Sequence, residues 1–395
     1  MTSFHCIIFI MRLFLLFFFM LYGSLHAHAF MKVKAAFDFG WRPGLVLSLI
    51  FVVMLFAPII VRLSENAGLE QLARIAAWTG YLWMGVLFLF FSASLMVDIF
   101  RLLVYLGSAV FQKDPSFLVL SAKGAFFIPL FLSLCASAYG YMDALNIRTE
   151  HITIRTDKLP QGADKFRIVQ ISDVHLGLLV RNERLGLILD KVRAAKPDVL
   201  VSTGDLVDGQ INGLRGLADT LKDVTTPFGK YAVLGNHEYY AGLRQAIAFK
   251  KAAGFTLLRG DSANVGDLIT LAGVDDPAAL NFNGYDASEE TRLLSSLSRN
   301  RFIVLLKHRP LIGKDSPGLF DLQLSGHVHK GQIFPFSILT KLYYPKHAGM
   351  LTVNGSTLYV SRGSGTWGPP IRFLAPPEVT VIDIVRADAQ GAGIK

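Results

Sequence analysis

Four apolar stretches before residue 145 limit what this chain can fold into more than any other feature. They run roughly from Ile7 to Leu25, Leu45 to Val61, Trp78 to Val97 and Phe117 to Ala138. Each comes close to the about 20 predominantly apolar residues a helix needs to cross a bilayer. Arg12 and Lys123 are the only charges inside them, each near an end where a long side chain reaches the interface. Trp41, Trp78, Tyr81 and Tyr139 fall near the boundaries, as an aromatic belt requires. The spans as drawn hold no paired acid or histidine, which points to an anchor rather than a transport path.

The first stretch has a rival reading. Met11-Arg12, an apolar run and then Ala27-His28-Ala29 also fit a signal peptide with a small-residue cleavage site. The apolar run starts before Arg12, which favours a retained span. Lys32, Lys34, Arg42, Arg101, Lys113 and Lys123 flank the first and third loops, whereas the second loop has only Arg62 and Arg74, offset by Glu65 and Glu70. The positive-inside rule then puts the first and third loops in the cytoplasm. With four spans, the C-terminal part lies outside it. The expectation is a multi-pass protein of the cell (inner) membrane with an extracytoplasmic C-terminal domain.

Composition agrees with this division. The chain is 52% hydrophobic and only 17% charged, with 30 phenylalanines, and most of the excess lies before residue 145. Residues 1–145 therefore read as a transmembrane anchor of about four helices, 146–165 as a linker, 166–386 as a soluble domain and 387–395 as a tail. Cys6 and Cys135 both sit in apolar runs and provide no disulfide framework. The formal net charge of +9 comes without an arginine-rich tract or a basic-aromatic motif, so it points to lipid headgroups rather than nucleic acid.

From Phe166 onward, strand and helix patterns alternate. Phe166 to Ser172, Val199 to Ser202, Tyr231 to Leu234, Leu268 to Ala272, Phe302 to Leu306, Leu319 to Leu324, Thr357 to Ser361 and Val379 to Ile384 read as strands. Asn182 is placed to cap a helix through Arg193, with Pro197 as a stop, and Leu243 to Ala253 is helical with Gly254 ending it. Many strands with interspersed helices predict a layered α/β domain with helices outside the sheets.

Metal-ligating residue types recur at the ends of these strands. In order they are Asp173-Val174-His175, Gly204-Asp205, Gly235-Asn236-His237-Glu238, His308 and Gly326-His327-Val328-His329. Five of the chain's ten histidines stand in these segments. Residues at the C-terminal ends of neighbouring strands converge on one edge of a sheet, where open α/β folds place their sites. Carboxylates, imidazoles and one amide suit Mn²⁺, Fe²⁺ or Zn²⁺, and the lack of thiolate argues against a structural zinc site. The ligands outnumber what one ion uses, and two ions about 3.5–4 Å apart suit phosphoester displacement.

The order D-x-H, G-D, G-N-H-E, H, G-H-x-H, written here as ISDVHLG, STGDLVD, LGNHE and SGHVHKGQ, resembles the calcineurin-like metallophosphoesterase superfamily. With SRGSGTWGPP following, it is similar to that superfamily's membrane-linked bacterial subgroup. The resemblance covers roughly residues 164 to 386. It implies a four-layer α/β sandwich, two mixed sheets flanked by helices, and a metal-dependent phosphodiesterase or phosphatase. It assigns one divalent ion to Asp173, His175 and His329, a second to Asn236, His308 and His327, and makes Asp205 the bridge. It further implies that His237 is catalytic, touching the phosphate and assisting the leaving group, while a metal-activated hydroxide attacks.

Other residues admit plainer readings. Asp208 in GDLVDG reads as a turn cap or as a support behind the metal ligands, Glu238 as an orienting or capping residue, and Asp275-Asp276-Pro277 as a turn. Arg309 and Arg362 either meet a substrate phosphate or are solvated. His5, His26, His28 and His347 read as incidental. Metallo-β-lactamase-like and amidohydrolase sites place H-x-H first, whereas here it comes last. A non-catalytic binding or scaffolding module is the alternative function, disfavoured because every metal position and His237 are present. Finally, IFPFSILTKLYYP, from Ile333 to Pro345, is either a core segment or a surface flap. A flap dipping into the membrane interface would present a lipid-linked phosphoester to the site.

Overall fold

A computed structural model describes residues 2–112, 118–209, 214–282, 286 and 288–387; side chains 1–12, 14, 215, 281 and 282 lie outside it. It divides into two compact units, Met1–Tyr141 with Gly368–Ile371, and Met142–Trp367 with Arg372–Lys395.

The first unit is helical: α1 (Thr2–Phe37), α2 (Trp41–Leu55), α3 (Ala57–Asn66), α4 (Glu70–Phe111) and the start of α5 (Gly124–Leu145). Among the described residues, α4 and α5 are long and apolar enough to cross a membrane, and α2 with α3, bent by 50°, makes a third if the pair is one span. Among the described residues two or three candidate spans thus stand against the about four expected. The first expected span falls within α1, and the fourth begins at Phe117, outside the described residues.

The helices run beyond the apolar stretches, and that corrects the reading of the anchor as free of polar pairs. His26 is buried between the Tyr22 carbonyl, 2.9 Å from its Nδ1, and the Trp83 indole N–H, which donates to its Nε2 at 3.0 Å. Lys32 of α1 pairs with Asp98 of α4. Helix ends are set by hydrogen bonding and packing, so they need not coincide with a change in hydropathy.

The second unit contains two six-stranded sheets. The first has the order β1 (Arg148–Thr156), β12 (Glu378–Arg386), β2 (Lys165–Ile171), β3 (Val199–Ser202), β4 (Lys230–Ala232) and β5 (Thr256–Leu257). The second runs β10 (Gly349–Val353), β11 (Ser356–Val360), β9 (Leu322–Ser325), β8 (Phe302–Leu306), β7 (Ile269–Gly273) and β6 (Asp261–Val265). Each sheet is mixed: β2 to β5 are parallel and β12 is antiparallel to β2; β11, β9, β8 and β7 are parallel, with antiparallel β10 and β6 at the edges.

The segment expected to be a linker, 146–165, holds β1, which pairs with β12 in parallel. Ile152 and Ile154 pack at period two against the core, a pattern too short and too polar at its flanks to stand out in the sequence. The tail beyond residue 387 lies outside the described residues.

Ile168, Val199 and Val201 of the first sheet meet Leu271, Val304, Leu306, Leu322 and Leu324 of the second in one core. β8, FIVLL, is buried throughout, as a central parallel strand requires. Val169, Ile171 and Leu200 face the other way, packing with Ile188, Leu189 and Val192 of α6 (Asn182–Ala195), Leu217 and Leu221 of α7 (Arg215–Lys222), and Ala246 and Phe249 of α8 (Asn236–Ala252). Ile303 and Leu305 pack with Leu294 of α9 (Glu289–Ser295). Asn182 opens α6 but does not cap it; Arg181 is the cap residue and makes no side-chain capping bond.

Candidate metal centre

Every segment singled out in the sequence leaves the C-terminal end of a parallel strand. Asp173 and His175 follow β2, Asp205 follows β3, Asn236 follows β4, His308 follows β8, and His327 and His329 follow β9. Within each sheet the parallel strands deliver their C-terminal ends to one edge, and the two edges adjoin, Gln170 Nε2 donating to the Ser325 carbonyl at 3.1 Å, so ligands far apart in sequence meet there. The loops are held by backbone hydrogen bonds: Asp173 N–H donates to Gly204 O at 3.1 Å, and His175 N–H to Asp205 O at 3.0 Å.

Five of these residues have left-handed backbone, with φ of 52° at Asp173, 55° at His175, 49° at Asp205, 73° at His327 and 46° at His329. Such strain persists only where the surroundings over-determine it, and it collects at functional sites. Gly204 is a position where both the backbone and the packing require glycine. Its φ is +100°, and a Cβ there would lie 2.5 Å from His308 Nδ1.

The side chains form adjoining clusters. Asp173, His175 and His329 make one, and Asp205, His308 and His327 another. His175 Nε2 is 3.0 Å from His329 Nε2, which is 3.6 Å from Asp173 Oδ1. His308 Nε2 is 3.0 Å from Asp205 Oδ2, 3.2 Å from Asn236 Oδ1 and 3.2 Å from His327 Nδ1. Asp205 Oδ2 also lies 3.9 Å from His175 Nε2, so it touches both clusters. Asp173, His175, Asp205, Asn236, His308 and His329 are all buried.

Neighbouring groups fix the rings. His308 Nδ1 lies 2.8 Å from the Thr203 carbonyl, which requires its proton there and turns the Nε2 lone pair toward Asp205 and Asn236. His175 Nδ1 faces Asp208 Oδ1 at 3.3 Å, which likewise turns Nε2 inward. A carboxylate or carbonyl behind an imidazole is how metal-binding histidines are oriented. His329 differs. Arg372, itself fully buried, donates to His329 Nδ1 at 2.9 Å and to the carbonyls of Gly365, His329, Arg362 and Ala375.

Comparison with known proteins supplies the family. The family profile described as calcineurin-like phosphoesterase matches residues 166–331. An uncharacterized metallophosphoesterase of Aquifex aeolicus is 37% identical over 257 residues, 65% of this chain and 98% of that one. The chain belongs to the calcineurin-like phosphoesterase family. A metallophosphoesterase of Bacillus subtilis is 36% identical over 62% of this chain and 89% of its own. A Danio rerio transmembrane protein with a metallophosphoesterase domain is 33% identical over 67% of this chain and 64% of its own.

Membership of this phosphoesterase family implies divalent ions, and the residues fit them. The donors are carboxylate, imidazole and amide oxygen, the set that first-row divalent ions take. Electrostatics agree. Burial alone would raise the Asp205 carboxyl, but His308, His237 and His175 outweigh it and hold Asp205 well below the usual carboxylate range. Burial would lower His308, yet Asp205 and Asp173 push it up to about 10. The pair demands positive charge between its atoms, and a divalent cation meets that demand. His327 is driven down to about 2, first by burial and then by His308, so it offers a lone pair.

His237 stands beside the clusters. Its Nδ1 is 2.8 Å from Asp208 Oδ1, and its backbone N–H donates to Asp205 Oδ1 at 2.8 Å. Its ring meets His175 edge-on at 4.6 Å and lies 5.7 Å from the Trp367 ring. Burial lowers its pKa, but Asp205 and Asp208 raise it to about 9.

Several residues that admit plainer readings have specific partners in the fold. Of the two readings open for Asp208, the supporting one holds: its carboxylate faces both His175 and His237. Its spacing three residues after Asp205 was the available signal. Glu238 both orients and caps: its carboxylate accepts from the N–H groups of Asp205, Leu206 and Gly235. Arg372 carried no signal, since nothing local marks an arginine for burial. Asp275 and Asp276 are buried and paired with Arg259 and Arg309. Arg362 is engaged by Glu150 and Glu378 rather than left for a phosphate.

Proposed function

We propose that this chain hydrolyses a phosphate monoester or diester at a site built for two divalent ions, Mn²⁺, Fe²⁺ or Zn²⁺. The observation that carries the reading is Asp205 standing within 3.9 Å of His175 Nε2 and 3.0 Å of His308 Nε2, between two ligand clusters. Asp173, His175 and His329 would hold one ion and Asn236, His308 and His327 the other, with Asp205 shared. Ions so held lower the pKa of water and neutralise charge on the phosphoryl group.

The chain's own residues do the rest. Asp208 keeps the Nδ1 proton of His237 in place, so Nε2 is the atom that exchanges a proton with the leaving oxygen. Arg309, held by Asp276 with Nε 2.8 Å from Oδ2, supplies fixed positive charge near His327 for a non-bridging oxygen. A scaffolding role is not favoured, because no expected ligand position is lost.

The scaffold is read as four layers, with the catalytic domain spanning 166–386 plus β1. Apolar helices and the transmembrane relative indicate a membrane protein. We place the domain outside the cytoplasm by the lysine and arginine bias of the loops, and favour a lipid-linked phosphoester as substrate.

The test is a panel of phosphomonoesters, phosphodiesters and phospholipid-derived esters against purified full-length protein with added Mn²⁺. Hydrolysis of none of them, with metal content verified, ends the reading.

A further inference from the structure

The segment between the metal histidines and β10 folds as α10 (Phe336–Tyr343), and none of its residues is buried. Phe336, Ile338, Leu339, Leu342 and Tyr343 are exposed, Leu342 at 77% and Tyr343 at 72%. This is an apolar helix resting on the rim of the site. It is tied down at its ends: Ile333 is buried and accepts from the Phe336 N–H, and Tyr344 is buried with its ring 5.6 Å from that of His327. Trp367 and Leu374, also exposed, flank the same rim: Gln332 is hydrogen-bonded to the Trp367 backbone through both its side-chain O and N, and Phe334 N–H donates to Phe373 O.

Positive charge lies beside this apolar surface. Lys341 is on α10 itself, Lys330 is on the turn His329–Gly331 that packs against α10, and Lys346 follows the helix by three residues. Apolar residues next to clustered lysines are complementary to a bilayer with anionic headgroups, where each basic side chain adds attraction and the apolar face enters the acyl boundary. The tether favours the same occupant. α5 ends at Leu145 and β1 begins at Arg148, so two residues join a span-length apolar helix to this domain.

We infer that α10, with the Lys330, Lys341 and Lys346 cluster, is a membrane-docking element that seats the rim of the site in the headgroup layer of an anionic bilayer. This deepens the phosphoesterase reading by naming where that site works, and rests on it only for the consequence that bilayer-embedded substrates reach the ions without leaving the lipid.

The experiment reads depth, not turnover, so the two readings fail separately. Full-length protein carrying Leu342→Cys, with Cys6 and Cys135 changed to Ser, is spin-labelled and placed in nanodiscs of phosphatidylcholine with or without phosphatidylglycerol. A second label at Asp190→Cys, exposed on α6, serves as the aqueous control. The expected result is that the label at 342 becomes accessible to oxygen and protected from an aqueous nickel chelate when phosphatidylglycerol is present, while the control does not. Each charge reversal among Lys330→Glu, Lys341→Glu and Lys346→Glu lowers the docked-to-free ratio about five-fold or more at low salt. A label at 342 that stays aqueous in both bilayers overturns the inference. So does spin–spin broadening between labels, which would assign the helix to a second copy of the chain. Docking without any ester hydrolysis would support the inference and end the phosphoesterase reading.

Discussion

Glu238 and Lys250 form an ion pair inside α8, Oε1 to Nζ 3.0 Å, with both side chains wholly removed from solvent. Lys250 also donates to the Val233 carbonyl, and Glu238 holds the backbone of Asp205. The pair therefore connects the back of a helix to the residue between the two ligand clusters. Removing one partner from a buried pair costs about 3–5 kcal/mol, because the other charge is left stranded. Lys250→Met should lower thermal stability by that scale, measured by circular dichroism of the full chain in nanodiscs. An unchanged melting temperature would show that the pair contributes nothing.

His237→Gln should slow turnover on an aryl phosphodiester by on the order of 10²–10⁴-fold if proton transfer is its task. Bound metal, measured beside the rate, should not change. Loss of one ion per chain would make His237 a ligand instead. Asp208→Asn acts through His237 and His175, so it should weaken both rate and metal affinity by about 10–100-fold.

Asp205→Asn removes the charge shared by the clusters. Activity should fall by on the order of 10²–10³-fold, the scale of losing one preorganised charge contact. Chelation of wild-type protein should abolish hydrolysis and lower the melting temperature, since ions that bind only the folded chain stabilise it by mass action. Wild-type rates in the variant or under chelation would contradict the proposed mechanism.

Lys230 supplies a pH test away from the metal centre. Burial lowers its pKa to about 8, against the pull of Asp223, while its Nζ donates to the Leu221 and Lys222 carbonyls. A folded pKa below the unfolded value means that, between pH 8 and about 10.4, the unfolded chain keeps a proton the folded chain has lost. Lys230 thus contributes a stability gain that grows as pH rises across that window and is absent below it. The melting temperature of Lys230→Met minus that of wild type should fall as pH increases from 8 to 10. A difference independent of pH would refute the assignment.

Much of the site could be read before any coordinates. Asp173, His175, Asp205, Asn236, His308, His327 and His329 are legible from residue type and order, because each follows a short apolar run whose strand character is local. The clusters formed among them were not written in spacing. His175 and His329 are 154 positions apart and meet at 3.0 Å because β2 and β9, strands of different sheets, end side by side, with Gln170 Nε2 donating to the Ser325 carbonyl at 3.1 Å. The composition of α10 fits core and surface equally, since an apolar octamer reads the same in either place; only the chain around it leaves it exposed.

Hydropathy and strand propensity act over a few neighbouring residues, so the apolar first part, the alternating α/β domain and the inventory of ligands are legible along the chain. Tertiary structure decided what those residues became. It made β1 a strand by pairing it with β12, some 230 residues away. It drew Asp208 under two histidines and Arg372 into the wall behind His329, and it gave Glu238 its lysine. Those roles depend on non-local hydrogen bonds and on charges desolvated together, and a buried charge finds its partner only when the fold brings distant segments within about 4 Å.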